Sequence, residues 1–252
     1  MKKDTSWEVA ADWYDTHLQN TDTYHAKVVL PNLLRVLDLK PGDHVLDLAC
    51  GQGYFTHHFL AATKHVVAVD LSPSLASIAA KVNTEAQVHV APAQSLTFAH
   101  DASFDIVVCV LALQNMEKLE AVFAEVARVL KPNGRFVFVL NHPTFRIPKV
   151  SSWGFDGNHA QYRRIDKYLS AFKAKIDMRP GTDTSHTWSF HYSLQDIMKS
   201  LRKSNFAITR LEEWISHRES EKGPRAEAEN VSRKEIPLFM MMEVNKIRPS
   251  SY

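Results

Sequence analysis

The sequence predicts an α/β fold: a doubly wound, mostly parallel seven-stranded sheet with helices on both faces and a cap insertion after strand five. Three observations predict it. Through residues 24–141, short apolar runs alternate with stretches of helical period, at the spacing of strand–helix–strand units. A glycine-bearing turn follows the first of these runs, and Asp70 closes the second. After Asn141 the texture changes, and alternation by two replaces the helical period.

The elements follow in order. Val28, Val29, Leu33, Leu34 and Leu37 give residues 24–38 a helical spacing, its start bent or delayed by Pro31. Pro41-Gly42 is turn chemistry before a short buried strand over 44–49. A helix over 54–62 carries Phe55 and Phe59 on one face, and the second strand covers 66–69. Pro73 opens the next helix near its first turn, and a third strand runs over 88–91. Residues 104–111 are almost wholly apolar, as a strand buried on both faces requires. Leu119, Val122, Phe123, Val126, Val129 and Leu130 mark an amphipathic helix. Lys131-Pro-Asn-Gly134 ends it, and 135–140 is the fifth strand. Residues 141–167 show no clean period. Phe172, Ala174, Ile176 and Met178, then His186, Trp188, Phe190 and Tyr192, alternate as an antiparallel hairpin about Arg179-Pro-Gly-Thr. A helix over 194–204 and strands near 206–214 and 236–247 complete the sheet, with the polar stretch 219–230 read as a loop.

The chain has 252 residues, 45% of them hydrophobic and 23% charged, which suits one domain with a large core. Residues 24–141 form its ligand-binding half, 141–193 a cap insertion, and 194–252 the closing helix and strands. Lys plus Arg is 30 against 28 for Asp plus Glu, a net charge of +2, so a dedicated nucleic-acid binder is not expected. The apolar run over 106–113 falls far short of the roughly 20 residues of a membrane span. The first residues lack the apolar core of a secretory signal, and a cytoplasmic protein is expected. Cys50 and Cys109 form no paired motif and read as small buried residues. His57 and His58 are adjacent, about 100° apart on a helix, so they do not share a metal, and no metal site is expected.

The sharpest motif is Val45-Leu-Asp47-Leu-Ala49-Cys50-Gly51-Gln52-Gly53. Its glycines allow a tight turn and close backbone approach by a ligand, where a helix begins after a strand. Asp70, 23 residues beyond Asp47 at the end of the second strand, can accept hydrogen bonds from both hydroxyls of a ribose. Thr56 occupies the place where a dinucleotide motif has its third glycine.

The segment from Asp47 to Gly53 resembles the glycine-rich motif of class I S-adenosylmethionine-dependent methyltransferases, Asp/Glu-x-Gly-x-Gly-x-Gly, with Ala49 replacing the first glycine. The likeness continues through Val69-Asp70-Leu71-Ser72, Ala93-Gln94, Phe104-Asp-Ile-Val-Val-Cys109 and Arg128-Val-Leu-Lys-Pro-Asn-Gly134. It implies S-adenosylmethionine as cofactor. The backbone of Ala49, Cys50, Gly51 and Gly53 would lie under the methionine moiety, with Asp47 ordering the loop or meeting the amino group. Asp70 would hold the ribose, Leu71 would pack on the adenine, and Ala93 and Gln94 would meet the adenine edge. Leu111 and Ala112 would reach the sulfonium end. Trp13, Tyr14, Tyr24 and His25 stand where family members carry aromatic lids, or else pack on a helix.

The resemblance further implies methyl transfer by in-line displacement to a small-molecule acceptor, as in methyltransferases that grow a substrate cap after strand five. Trp153, Tyr162, Arg163, His186 and Tyr192 are its candidate substrate residues. Arg163 could grip a carboxylate or belong to a solvated charged face. His142, directly after strand five, is the candidate general base or orienting donor; alternatively it caps the strand end. The segment Leu111-Ala-Leu-Gln-Asn115 lacks the Asn/Asp-Pro-Pro-Tyr/Phe signature of nucleobase amino-methylating enzymes. An RNA acceptor, or a cofactor-binding protein without turnover, are the alternatives.

Overall fold

The computed structural model describes residues 22–157, 159–177 and 186–247. A π-helical turn at His25–Val29 runs into α1 (Leu30–Leu37), where Pro31 occupies the first turn. Proline has no N–H to donate there, so it costs the helix nothing and the turn before it widens. There follow β1 (Val45–Leu48), α2 (Tyr54–Leu60), β2 (Val66–Asp70), α3 (Pro73–Val82), β3 (Gln87–Val90) and β4 (Phe104–Val110). A 3-10 turn at Leu113–Asn115 leads to α4 (Leu119–Val129) and β5 (Leu130–Asn141). Two hairpins come next, β6 (Ser151–Asp156) with β7 (Ala160–Ile165), and β8 (Phe172–Asp177) with β9 (His186–His191). The chain closes with α5 (Leu194–Lys203), β10 (Phe206–Trp214), α6 (Ala226–Glu235) and β11 (Phe239–Lys246).

The main sheet has seven strands in the order β10-β11-β5-β4-β1-β2-β3. Pairings among β1 to β5 are parallel, and β11 is antiparallel to both β5 and β10. The strand order reverses between β1 and β4, which opens a crevice at their carboxyl ends. Leu46, Leu48, Val69, Phe136 and Phe138 point to one face and pack with Val122, Phe123 and Val126 of α4 and Ile197 and Leu201 of α5. Val45, Ile106, Val108, Val137 and Val139 point to the other, against Leu33, Val36 and Leu37 of α1 and Phe55 and Phe59 of α2. Alternation by two along each strand thus feeds two cores, and the doubly wound reading holds.

Three local expectations differ from the structure. Lys131-Pro-Asn-Gly134 does not separate α4 from a later strand: β5 begins at Leu130, which pairs with Phe104, and the register shifts before Ile106 meets Arg135. Asn133 takes φ +66° there, so the four residues form an irregularity within the strand pairing. Residues 141–167, read as patternless, contain the β6–β7 hairpin, whose inward positions on β7 are Gln161, Arg163 and Ile165. The polar stretch assigned to a loop holds the start of α6, which buries only Ala228 and Ser232. Ser232 Oγ donates to the Gln161 carbonyl across 2.9 Å, tying α6 to β7. The turn at Arg179 and the position of Met178 lie outside the described residues.

Candidate functional site

The crevice is built from four strand ends. After β1 the chain turns through Ala49, Gly51 and Gly53, all with positive φ, at +60°, +58° and +84°. Left-handed backbone costs a non-glycine residue about 1–2 kcal/mol, so Ala49 carries strain that a glycine would not. At Gly53 a Cβ would stand 2.3 Å from Asn83 Nδ2, whose amide donates to the Gly53 carbonyl across 3.1 Å. Only glycine fits there. Asp70, at the end of β2, pulls the turn in: its Oδ2 accepts from Gly51 N at 2.8 Å and its Oδ1 from Ser72 N at 2.9 Å. Asp47 is buried behind the turn and accepts a 2.6 Å bond from Thr56 Oγ1. Burial pushes its carboxyl up to about 7, and the neighbouring Asp70 charge adds to the rise.

A cavity of about 370 Å³ opens beside this turn, within the size range of small-molecule sites. Ala49, Gly51, Asp70, Leu71, Ala93, Gln94 and Leu111 line it, together with Ser72, Asn115, Thr187, Trp188 and Phe190. A narrower annexe of about 50 Å³ adjoins it across Phe190, between the ends of β4 and β5. Gln114, Asn141, Pro143, Arg146, His191 and Tyr192 are among its walls. Gln114 Nε2 donates to the Leu111 carbonyl at 2.6 Å, leaving its Oε1 buried without a partner among the described residues.

His142 is 2% exposed and lines neither space. Its Nδ1 accepts from Thr144 N at 3.2 Å and Phe145 N at 3.3 Å, which fixes the proton on Nε2, 2.7 Å from Glu213 Oε1. Burial pushes the imidazole down, against the opposing pull of Glu213, so it stays neutral at neutral pH. This is the geometry of a strand-end cap.

The fold and this crevice agree with comparisons to known proteins. A family profile described as a methyltransferase domain matches residues 46–138. The chain superposes on an S-adenosylmethionine-dependent methyltransferase from Mesorhizobium loti with a TM-score of 0.68 and 26% identity, over 85% of this chain and 96% of that one. Residues 46–138 match a methyltransferase domain, and the fold resembles that of S-adenosylmethionine-dependent methyltransferases. The chain is 32% identical over 170 residues to a malonyl-[acyl-carrier protein] O-methyltransferase from Hahella chejuensis, covering 63% of this chain and 58% of that protein. It is 39% identical over 118 residues to a demethylmenaquinone methyltransferase from Corynebacterium glutamicum, covering 47% of this chain and 48% of that protein. The chain thus spans about half the length of the curated relatives it matches.

The structure sorts the residues read from sequence. Eight of the motif-derived positions, Ala112 among them, share the larger cavity, whereas Asp47, Cys50 and Gly53 stand behind its wall and shape the turn. Tyr14 and Trp13 lie outside the described residues. Tyr24 packs edge-on to Phe239 and its hydroxyl lies 3.2 Å from Ser216 Oγ, away from the cavity lining; His25 stands against Phe55. Of the five substrate candidates only Tyr192 lines the annexe, and its hydroxyl is spent on the Met116 and Glu117 carbonyls at 3.2 and 2.6 Å. Trp153, Tyr162, Arg163 and His186 are on neither wall. Arg163 donates instead to the Phe145 carbonyl and Ser151 Oγ, each at 2.7 Å. Sequence reading passed over Gln114 and Arg146 as site residues. The first sits one 3-10 turn past β4, a position the sheet topology points to; Arg146 follows β5 in a stretch without period.

Proposed function

We propose that the protein transfers a methyl group from S-adenosylmethionine to a small-molecule acceptor. The observation that carries this reading is the Asp70 carboxylate, fixed by Gly51 and Ser72 at the rim of a cavity floored by small residues. The cofactor supplies an already activated methyl group. The protein's part is to hold the nucleoside, align the acceptor and exclude water. Asp70 accepts from the ribose hydroxyls, Leu71 packs on the base, and Ala93 and Gln94 border its edge. Leu111 and Ala112 stand where β4 ends, between the cavity and the annexe, which receives the acceptor. Residues 141–193 act as a substrate cap, since β9 contributes Thr187, Trp188 and Phe190 to the cavity. The relatives named above are described by a malonyl group on a carrier protein and by demethylmenaquinone, and the chain's balanced charge fits neither RNA nor DNA as acceptor. Among the described residues no helix is long and apolar enough to cross a membrane, and we place the protein in the cytoplasm.

His142 serves in this reading as a positioning residue, holding the end of β5 against Glu213 and the following loop. Calorimetry tests the cofactor assignment. Asp70→Ala removes a charged acceptor worth about 1.5–3 kcal/mol per hydrogen bond, so affinity for S-adenosylhomocysteine should fall at least tenfold with the fold intact. Unchanged affinity would remove Asp70 from the site. Release of S-adenosylhomocysteine over an acceptor panel tests turnover itself.

A further inference from the structure

Among the described residues, no ion pair answers the positive charge at the annexe. Arg146 lines it, yet its guanidinium makes no hydrogen bond or ion pair among the described residues. No aspartate or glutamate is among the annexe's walls. Arg163 and Arg233 disfavour the protonated form of Arg146, against an opposing pull from Tyr24. Arg146 and Arg163 lie 6.0 and 5.1 Å from the centre of the same ring, Trp153. Burial and these neighbours push the Arg146 guanidinium down to about 10, which leaves it charged at neutral pH. Arg233 adds a buried Nε without a partner among the described residues, and its ion pair to Glu229 is long at 3.7 Å. A half-buried arginine amid other arginines is costly to hold unless an anion completes it.

From this we infer that the annexe recognises its acceptor through a carboxylate, paired with Arg146. The inference rests on the methyltransferase reading for the acceptor's presence there, but the charge imbalance stands by itself. Size supports the class. A space of about 50 Å³ admits three or four water-sized groups, enough for the three heavy atoms of a carboxylate and tight for a phosphate ester. Arginine's planar fork matches two carboxylate oxygens, and the guanidinium lies over the Trp153 ring, 6.0 Å from its centre. The chemistry also agrees. His191 is the histidine among the annexe's walls, and its Nε2 is engaged 2.7 Å from the Tyr168 carbonyl. An acceptor that arrives as an anion at the annexe asks less of a protein base there.

The test compares a matched pair of probes, hexanoate and hexanamide, titrated by NMR into protein saturated with S-adenosylhomocysteine. Wild type should bind hexanoate at least tenfold more tightly than hexanamide. Arg146→Gln should abolish that preference, Arg146→Lys should keep part of it, and S-adenosylhomocysteine should bind all three proteins alike. Equal binding of the two probes by wild type, or failure of both to bind, would overturn the carboxylate assignment and leave the cofactor reading standing. So would a preference that survives Arg146→Gln. If wild type binds no S-adenosylhomocysteine, the methyltransferase reading falls and this proposal falls with it.

Discussion

Asp47 and His142 show how two buried polar side chains beside one crevice respond oppositely to pH. The folded protein holds the Asp47 proton up to about pH 7, while the unfolded chain releases it near 4. Between those values the native state binds more protons, so stability falls as pH rises. Asp47→Asn keeps an acceptor for Thr56 and removes the titration. Urea unfolding at pH 5 and pH 8 should show wild type losing stability on the order of a few kcal/mol across that interval. The variant should lose far less; parallel slopes would refute the burial argument. His142 is neutral in the fold and its imidazole is pushed down, so its contribution is present above the unfolded value near 6.5 and lost as pH falls below it. His142→Ala strands Glu213 and two backbone N–H groups, and should cost about 1–3 kcal/mol of stability. Turnover by the folded variant should stay near wild type. A hundredfold loss of turnover at unchanged melting temperature would make His142 catalytic instead.

At the scale of elements, legibility followed the source of the burial. The strands β1, β2 and β4 bury nearly every residue, as does the 136–140 stretch of β5, and α4 buries Leu119, Val122, Phe123, Val126 and Val129, so apolar period alone marked them. In β7 the half-buried positions fall on Gln161, Arg163 and Ile165, two of them polar, and α6 buries only Ala228 and Ser232. Those elements are held by polar ties, among them Ser232 to Gln161 and Arg163 to Phe145, which no hydrophobic pattern records. The same reason hid Arg146: it belongs to the site through what is missing around it. The helix α5 illustrates a signal that does survive in sequence. Ser193 and Asp196 form a reciprocal capping box at its start, with Ser193 Oγ accepting from Asp196 N at 3.2 Å. Ser193→Ala should lower stability by about 1 kcal/mol, read as a lower urea midpoint with unchanged slope.

For the whole molecule, the sheet order and the crevice were readable because the topology follows from strand–helix alternation, and the glycine turn fixes where a ligand can lie. The segment 141–193 was readable only in outline. Its two hairpins pair within themselves and join no strand of the main sheet, and neither buries enough apolar surface for a core of its own. Limited proteolysis should therefore cut first within residues 145–165, and S-adenosylhomocysteine should slow the cut. Recovery of a stable folded fragment spanning 141–193 would show an independent domain.

The two cysteines have a practical meaning. Cys109 is wholly buried in the centre of the sheet, and Cys50, at the turn beside Asp70, is 9% exposed. Burial raises both thiols well above their usual range, with the Asp47 charge adding to each, so neither exists as thiolate at neutral pH. The protein therefore needs no reducing agent to stay intact on the bench, and alkylating reagents meet it as an inert surface. Whenever Cys109 does react, the central strands have parted. Mass-resolved labelling of that single sulfur turns the molecule into its own clock for opening, and slower labelling of Cys50 with ligand present would time the crevice separately.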